Sequence, residues 1–133
     1  MKAQFLALAA CAALLSSGPV SAHHSHAMYD ATGEIEIEGA LKEIRWANPH
    51  VWLYIDVRNP DGTTKTWAFE GAAINQLQRK GWTREMLNVG DSIKISCYPL
   101  RGGGPGCLGG YVLALKGETL PPTHERHLGR EFD

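Results

Sequence analysis

A pair of β-like segments joined by a tight turn places the strongest constraint on how this chain folds. Residues 50–58 are rich in β-branched and aromatic side chains, and residues 63–69 continue that pattern after the sequence Asn-Pro-Asp-Gly. Asn, Pro, Asp and Gly each favour a turn, so the two segments predict a β-hairpin.

A long strand precedes this hairpin. Ile35 and Ile37 alternate with glutamates at the start of residues 34–46, as they do in a strand with one buried face. Gly39 interrupts the segment, which is typical of a bulge or of a point where another chain segment packs closely.

A single helical region follows the hairpin. Apolar residues between 72 and 77 have helical spacing, and Gly81 predicts the end of that helix. Thr83 can cap a second short turn that ends at Leu87. Two more strands are predicted at residues 92–98 and 111–115, on either side of a glycine-rich loop.

This order of elements predicts a mainly β fold, a small five-stranded OB-like barrel with one or two short helices between strands 3 and 4. A small open β-sandwich is the alternative. We expect the domain to span residues 23–118 and to be followed by a flexible tail at residues 119–133, in which His124 and His127 are solvated.

Residues 1–22 have the pattern of a cleaved export signal. An apolar run ends before Val20 and Ala22, which supply the small residues of a signal-peptidase site. Cleavage after Ala22 would make His23 the first residue of a periplasmic protein. Lipidation at Cys11 is disfavoured, because apolar rather than polar sequence follows that cysteine.

Composition excludes several classes of function. The 13 basic and 14 acidic residues give a formal net charge of −1, so there is no basic excess to bind nucleic acid. After the leader no apolar run is long enough for a transmembrane segment. The sequence also lacks phosphate-binding, dinucleotide and nucleophile-elbow motifs, so we expect a binding protein rather than an enzyme.

Two cysteines, Cys97 and Cys107, follow the leader and enclose the glycine-rich loop. An oxidising compartment permits only one pairing between them, so a disulfide is predicted. A thiolate pair for metal or redox chemistry is the alternative, but the Cys-x-x-Cys spacing is absent.

Several short motifs also occur in a fixed order. They are Ala22-His23-His24-Ser25, Trp46-Ala47-Asn48-Pro49-His50, Trp67-Ala68-Phe69-Glu70, Gly81-Trp82 and Gly90-Asp91. Together they resemble an exported bacterial family of unknown function, whose members begin with Ala-His-His-Ser after the leader and carry a Trp-x-Asn-Pro-His segment. The resemblance covers roughly residues 20–120 and implies a periplasmic, single-domain, β-rich protein, with no activity attached. The two cysteines depart from the family pattern, which has a polar loop there.

Four histidines are candidate metal ligands: His23, His24 and His26 near the mature start, and His50 at the head of the second strand. Imidazole nitrogen is a favoured ligand of copper and zinc, and a terminal His23 would add its free amine. The sequence therefore predicts a copper site, with zinc as the alternative metal. The competing interpretation is a polar, flexible start, with His50 only holding a strand end.

Three further residues have two possible roles each. Glu70 supports either the start of the helix or the histidine site, as a ligand or as a partner that orients an imidazole. Trp46 and Trp52 belong either to the core or to an exposed face that stacks against a flat ligand.

The predicted function is therefore a small periplasmic metal-binding protein. The alternative is a metal-free binding or accessory module that uses a face of the barrel to hold a periplasmic partner or ligand.

Overall fold

The computed structural model describes residues 26–129. It contains six strands, β1 to β6, and one α-helix, α1, between β3 and β4. Their bounds are β1 Ile35–Arg45, β2 Trp52–Arg58, β3 Thr64–Glu70, α1 Ile74–Arg79, β4 Ser92–Pro99, β5 Gly106–Leu115 and β6 Glu118–Thr119. Short 3-10 turns lie at His26–Met28, Arg84–Met86 and His124–Arg126.

The sheet closes on itself as a five-stranded barrel. Antiparallel neighbours run in the order β3-β2-β1-β4-β5, and β6 extends the far side of β5. Parallel pairing of β3 with β5, from Ala68–Gly106 to Glu70–Leu108, completes the closure. A closed barrel removes the open edges that a small sandwich would retain. The predicted OB-like barrel is confirmed, with α1 and one 3-10 turn between the third and fourth strands.

The core lies inside the barrel and follows the alternation of the strands. Its inward-facing members include Ile37, Leu53, Ile55, Phe69, Ile95 and Val112. The helical region adds Leu77, Trp82 and Leu87 to the same cluster. Gly39 belongs to this packing, because a Cβ there would collide with the carbonyl oxygen of Asp56. The irregularity in the pairing of β1 with β2 lies further along, between Leu41 and Glu43.

Strand β5 begins five residues earlier than predicted, at Gly106 rather than at residue 111. Its glycines are needed for close packing within the barrel and do not indicate a loop. A Cβ at Gly109 would lie 2.6 Å from the Phe69 ring, and one at Gly110 would lie 2.7 Å from the carbonyl oxygen of Ser96. Because these two positions have no side chain, β5 can approach its neighbours closely enough to close the barrel.

The chain after residue 118 differs from the flexible tail that we expected. Leu128 is only 2% exposed, its N–H donates to Gly110 at 2.9 Å, and its carbonyl accepts from Ala72 at 2.8 Å. His127, predicted to be solvated, is buried with its ring edge-on to Tyr111. One apolar side chain and two backbone hydrogen bonds thus fasten this segment to the barrel, whereas His124 is exposed.

Candidate functional site

The predicted disulfide is present and joins Cys97 at the end of β4 to Cys107 at the start of β5, with 5.7 Å between the two Cα atoms. Both cysteines are fully buried. With the two sulfurs bonded to each other, the pair acts as a staple of the glycine-rich loop rather than as a thiolate site.

The segment that leads into β2 is held by the start of helix α1. The Asn48–Pro49 peptide bond is cis, and the Asn48 side-chain oxygen accepts a hydrogen bond from the Ile74 N–H at 3.2 Å. The first amides of a helix lack partners within the helix, so Asn48 satisfies one of them from outside. This contact also fixes the chain two residues before His50.

Replacing Asn48 by alanine is therefore expected to lower the free energy of unfolding by about 1 kcal/mol, the usual cost of losing a helix cap. Chemical denaturation measures the change. Asn88→Ala is the matched control, because Asn88 is exposed and its side chain has no hydrogen bond among those found in the described residues. Equal losses for the two variants would contradict the capping role.

His50 and Glu70 are in direct contact. Nδ1 of His50 lies 2.5 Å from Oε1 of Glu70, although the two residues are 20 positions apart. Strand pairing places Glu70 opposite Trp52, so the end of β3 lies beside the start of β2. The Glu70 residue is 4% exposed, whereas the His50 side chain is 21% exposed. A buried carboxylate thus holds one nitrogen of an imidazole whose other side reaches the surface.

Tyr29 completes this cluster and was missed by the sequence analysis. Its hydroxyl donates to Oε2 of Glu70 at 2.7 Å, and the residue is 3% exposed. Burial, then the hydrogen bond to Glu70 and the negative charge of Glu70, raise the pKa of the Tyr29 hydroxyl. The hydroxyl therefore stays protonated and acts as a donor. No periodic pattern surrounds Tyr29, so the sequence signal for a role in this cluster is limited to its position just after the histidines.

The segment that carries Tyr29 is docked on the loop after β4. Tyr29 forms an antiparallel bridge with Leu100, and the Asp30 N–H donates to Pro99 at 2.8 Å. Arg101 donates its backbone N–H to Met28 at 2.9 Å and its side-chain Nε to Ala27 at 3.1 Å. Residues 27–30 are thereby fixed against the loop that the disulfide staples.

The structure brings together only part of the predicted metal site. His23 and His24 lie outside the described residues, as does the side chain of His26, whose backbone begins the first described turn. Among residues 26–129 no group of three or more histidine, cysteine, aspartate or glutamate side chains is arranged to hold a metal ion. His50 and Glu70 are the two predicted residues that meet.

The predicted stacking residues occupy different surroundings. Trp46 is half-buried and packs against the core. Trp52 is also half-buried, but the alternation of β2 turns it outward, next to Tyr54 on the same face. The guanidinium of Arg45 lies 5.5 Å from the centre of the Tyr54 ring. Of the two tryptophans, Trp52 has the surroundings that favour stacking against a ligand.

Glu70 does not cap the helix in the described structure, since the first amide of α1 is bonded to Asn48 and Gln76 bonds the amide of Ala73. Its two oxygens are occupied by His50 and Tyr29. Of the two roles considered for Glu70, contact with an imidazole is the one that its surroundings provide.

Comparison with known proteins adds a family but no activity. Within the described range, no helix has both the length and the apolar character needed to cross a membrane. No curated protein and no solved structure matches the chain. The model of a family of unknown function (DUF6152) matches residues 10–108, which is more than half of the chain, and the protein therefore belongs to that family.

Proposed function

We propose that this protein binds a copper ion, with zinc as the alternative metal, between His50 and the histidines of its leading segment, His23, His24 and His26. The observation that carries the proposal is the contact of His50 with the buried carboxylate of Glu70. The site would serve to buffer, sense or deliver the metal.

The contact at Nδ1 supports a ligand role for His50. A carboxylate at this nitrogen favours the tautomer with its proton on Nδ1, which leaves the lone pair of Nε2 for a metal. Metal-binding histidines commonly donate their second ring nitrogen to a carboxylate in this way. The 21% exposure of the His50 side chain leaves room for an ion to approach.

The docked segment supports the contribution of the leading histidines. His26 precedes Tyr29 by three residues and His23 precedes it by six, while Tyr29 itself contacts Glu70. A chain spans at most about 3.5 Å per residue, so the Cα of His23 lies within about 21 Å of the Cα of Tyr29. The connecting chain is therefore long enough to allow imidazoles from this segment to approach His50.

Export would complete the ligand set. Cleavage after Ala22 would free the amine of His23, which chelates a metal together with its own imidazole. The disulfide between Cys97 and Cys107 supports export, because such bonds persist mainly in oxidising compartments. Several nitrogen ligands in one plane suit Cu(II).

Titration of Cu(II) into protein that begins at His23 tests the proposal. We expect one tight equivalent, and we expect His50→Gln to weaken binding by about tenfold or more. One residue added before His23 should also weaken binding, since it moves the free amine away. His124→Gln is the control, because His124 is an exposed histidine far along the chain. Binding that is equally strong in the wild-type protein and in His50→Gln contradicts the proposal.

A metal-free binding module is the second candidate, favoured by the outward position of Trp52. Copper binding that is absent, or indifferent to both His50 and the added residue, would favour this candidate. Quenching of tryptophan fluorescence by a bound partner, lost in Trp52→Phe but kept in Trp67→Phe, would then be its signature.

A further inference from the structure

The Glu70 carboxylate is shared between two parts of the chain that are far apart in sequence. One oxygen contacts His50, and the other accepts a hydrogen bond from the hydroxyl of Tyr29, which is 41 residues away from Glu70. Each oxygen is therefore engaged by a different side chain. A carboxylate held at two points keeps one orientation, whereas one held at a single point can rotate.

Loss of the Tyr29 hydroxyl would leave a buried carboxylate oxygen without its partner. The desolvation cost of such a group is reduced when the side chain turns toward water. This rotation removes the acceptor from Nδ1 of His50. The orientation and tautomer of the imidazole thus depend on a hydroxyl that does not touch it.

Tyr29 is also the point at which the leading segment is fastened. Its backbone bridges Leu100, and the next residue donates its N–H to Pro99. The side chain that orients Glu70 and the backbone that is fastened to the loop after β4 therefore belong to the same residue.

We infer that Tyr29 is a positioning residue of this site, which holds the His50 imidazole through Glu70. The inference rests on the proposed function. Because binding and docking share Tyr29, a bound metal also strengthens the attachment of residues 27–30, as reciprocal coupling requires.

The first test compares Tyr29→Phe with Tyr54→Phe. Tyr54 is a half-buried tyrosine on β2 whose hydroxyl has no hydrogen bond among those found in the described residues, so its removal is a matched control. In the metal-free protein, the ring 15N shifts of His50 should show the Nδ1–H tautomer in the wild type and in Tyr54→Phe. A mixture of tautomers is expected in Tyr29→Phe, with Cu(II) affinity lowered by roughly tenfold.

A second test uses the wild-type protein alone, so it does not depend on the folding of a variant. In the wild-type protein, Cu(II) should slow amide exchange at Asp30 and Arg101, whose N–H groups fasten the segment. Asn59, whose N–H closes the β2–β3 turn, is the reference amide and should not respond.

The outcomes separate the two proposals. The role of Tyr29 is overturned if Tyr29→Phe keeps the wild-type tautomer and Cu(II) affinity, or if Cu(II) leaves amide exchange at Asp30 and Arg101 unchanged. In that case, weak Cu(II) binding in His50→Gln would still support the metal site. Unchanged affinity in His50→Gln instead overturns the proposed function itself.

Discussion

Replacement of Glu70 by glutamine is expected to lower the free energy of unfolding by about 1–3 kcal/mol, the cost of one unsatisfied buried polar group. The carboxylate accepts hydrogen bonds on both oxygens, from His50 and from Tyr29. An amide has one oxygen and one NH2 group. If its oxygen accepts from His50, its NH2 group faces the Tyr29 hydroxyl, and the proton of that hydroxyl loses its acceptor.

Desolvation acts in the opposite direction, because a neutral amide is less costly to bury than a carboxylate. Glu70 is nevertheless hydrogen-bonded on both oxygens, and charge-assisted bonds of this kind are about twice as strong as neutral ones. In Glu70→Gln one of these bonds is lost and the other is no longer charge-assisted, which outweighs the gain. The same variant is expected to weaken Cu(II) binding by about 10–100-fold, as removal of a ligand's partner commonly does.

Chemical denaturation and Cu(II) titration measure the two effects of this substitution. Glu36→Gln is the matched control: Glu36 pairs with Lys94 on the surface of β1, and its side chain is 56% exposed. Exposed pairs contribute little, so this control should leave both quantities unchanged. A Glu70→Gln protein as stable as the control would show that the cluster is not held together as described.

Local patterns predicted most of the barrel. Ile37 and Ile95 alternate with polar neighbours, and both are buried in the structure. The turn at residues 59–62 and the glycine after α1 marked the ends of elements through their own backbone preferences. These signals are contained within a few residues, so they can be read without knowledge of the rest of the fold.

The parts that were predicted wrongly depend on contacts between distant residues. Gly109 and Gly110 suggest a loop until the Phe69 ring and Ser96 are known to lie against them. Leu128 is one apolar residue in a charged segment, and only the free backbone groups of Gly110 and Ala72 show why it is buried. No local pattern contains this information.

The candidate site shows the same division. His50 and Glu70 could be named from residue type and from their positions next to strands. Their contact depends on the register of β2 with β3, which pairs Trp52 with Glu70. Tyr29 could not be assigned, because its role depends on a segment that bridges Leu100 from the other end of the chain.

Loss of the disulfide between Cys97 and Cys107 is expected to lower the free energy of unfolding by about 3 kcal/mol, the chain-entropy value for a loop of this length. The two cysteines are 10 positions apart and fully buried. Between them lies a loop whose glycines give the unfolded chain many conformations. Replacing both cysteines by alanine should cost at least as much, because it also leaves a small cavity.

Denaturation with and without a phosphine reductant measures this effect, and the double-alanine protein is the control because it should not respond to the reductant. The consequence extends to the candidate site. Pro99, which accepts the Asp30 N–H, pairs with Cys107 across β4 and β5. Loss of the disulfide should therefore also speed amide exchange at Asp30, and in the double-alanine protein it should weaken Cu(II) binding. If the wild-type protein keeps its stability once its disulfide is fully reduced, the loop is held by the barrel alone. Unchanged amide exchange at Asp30 in that protein would show that the attachment of Tyr29 does not depend on the disulfide.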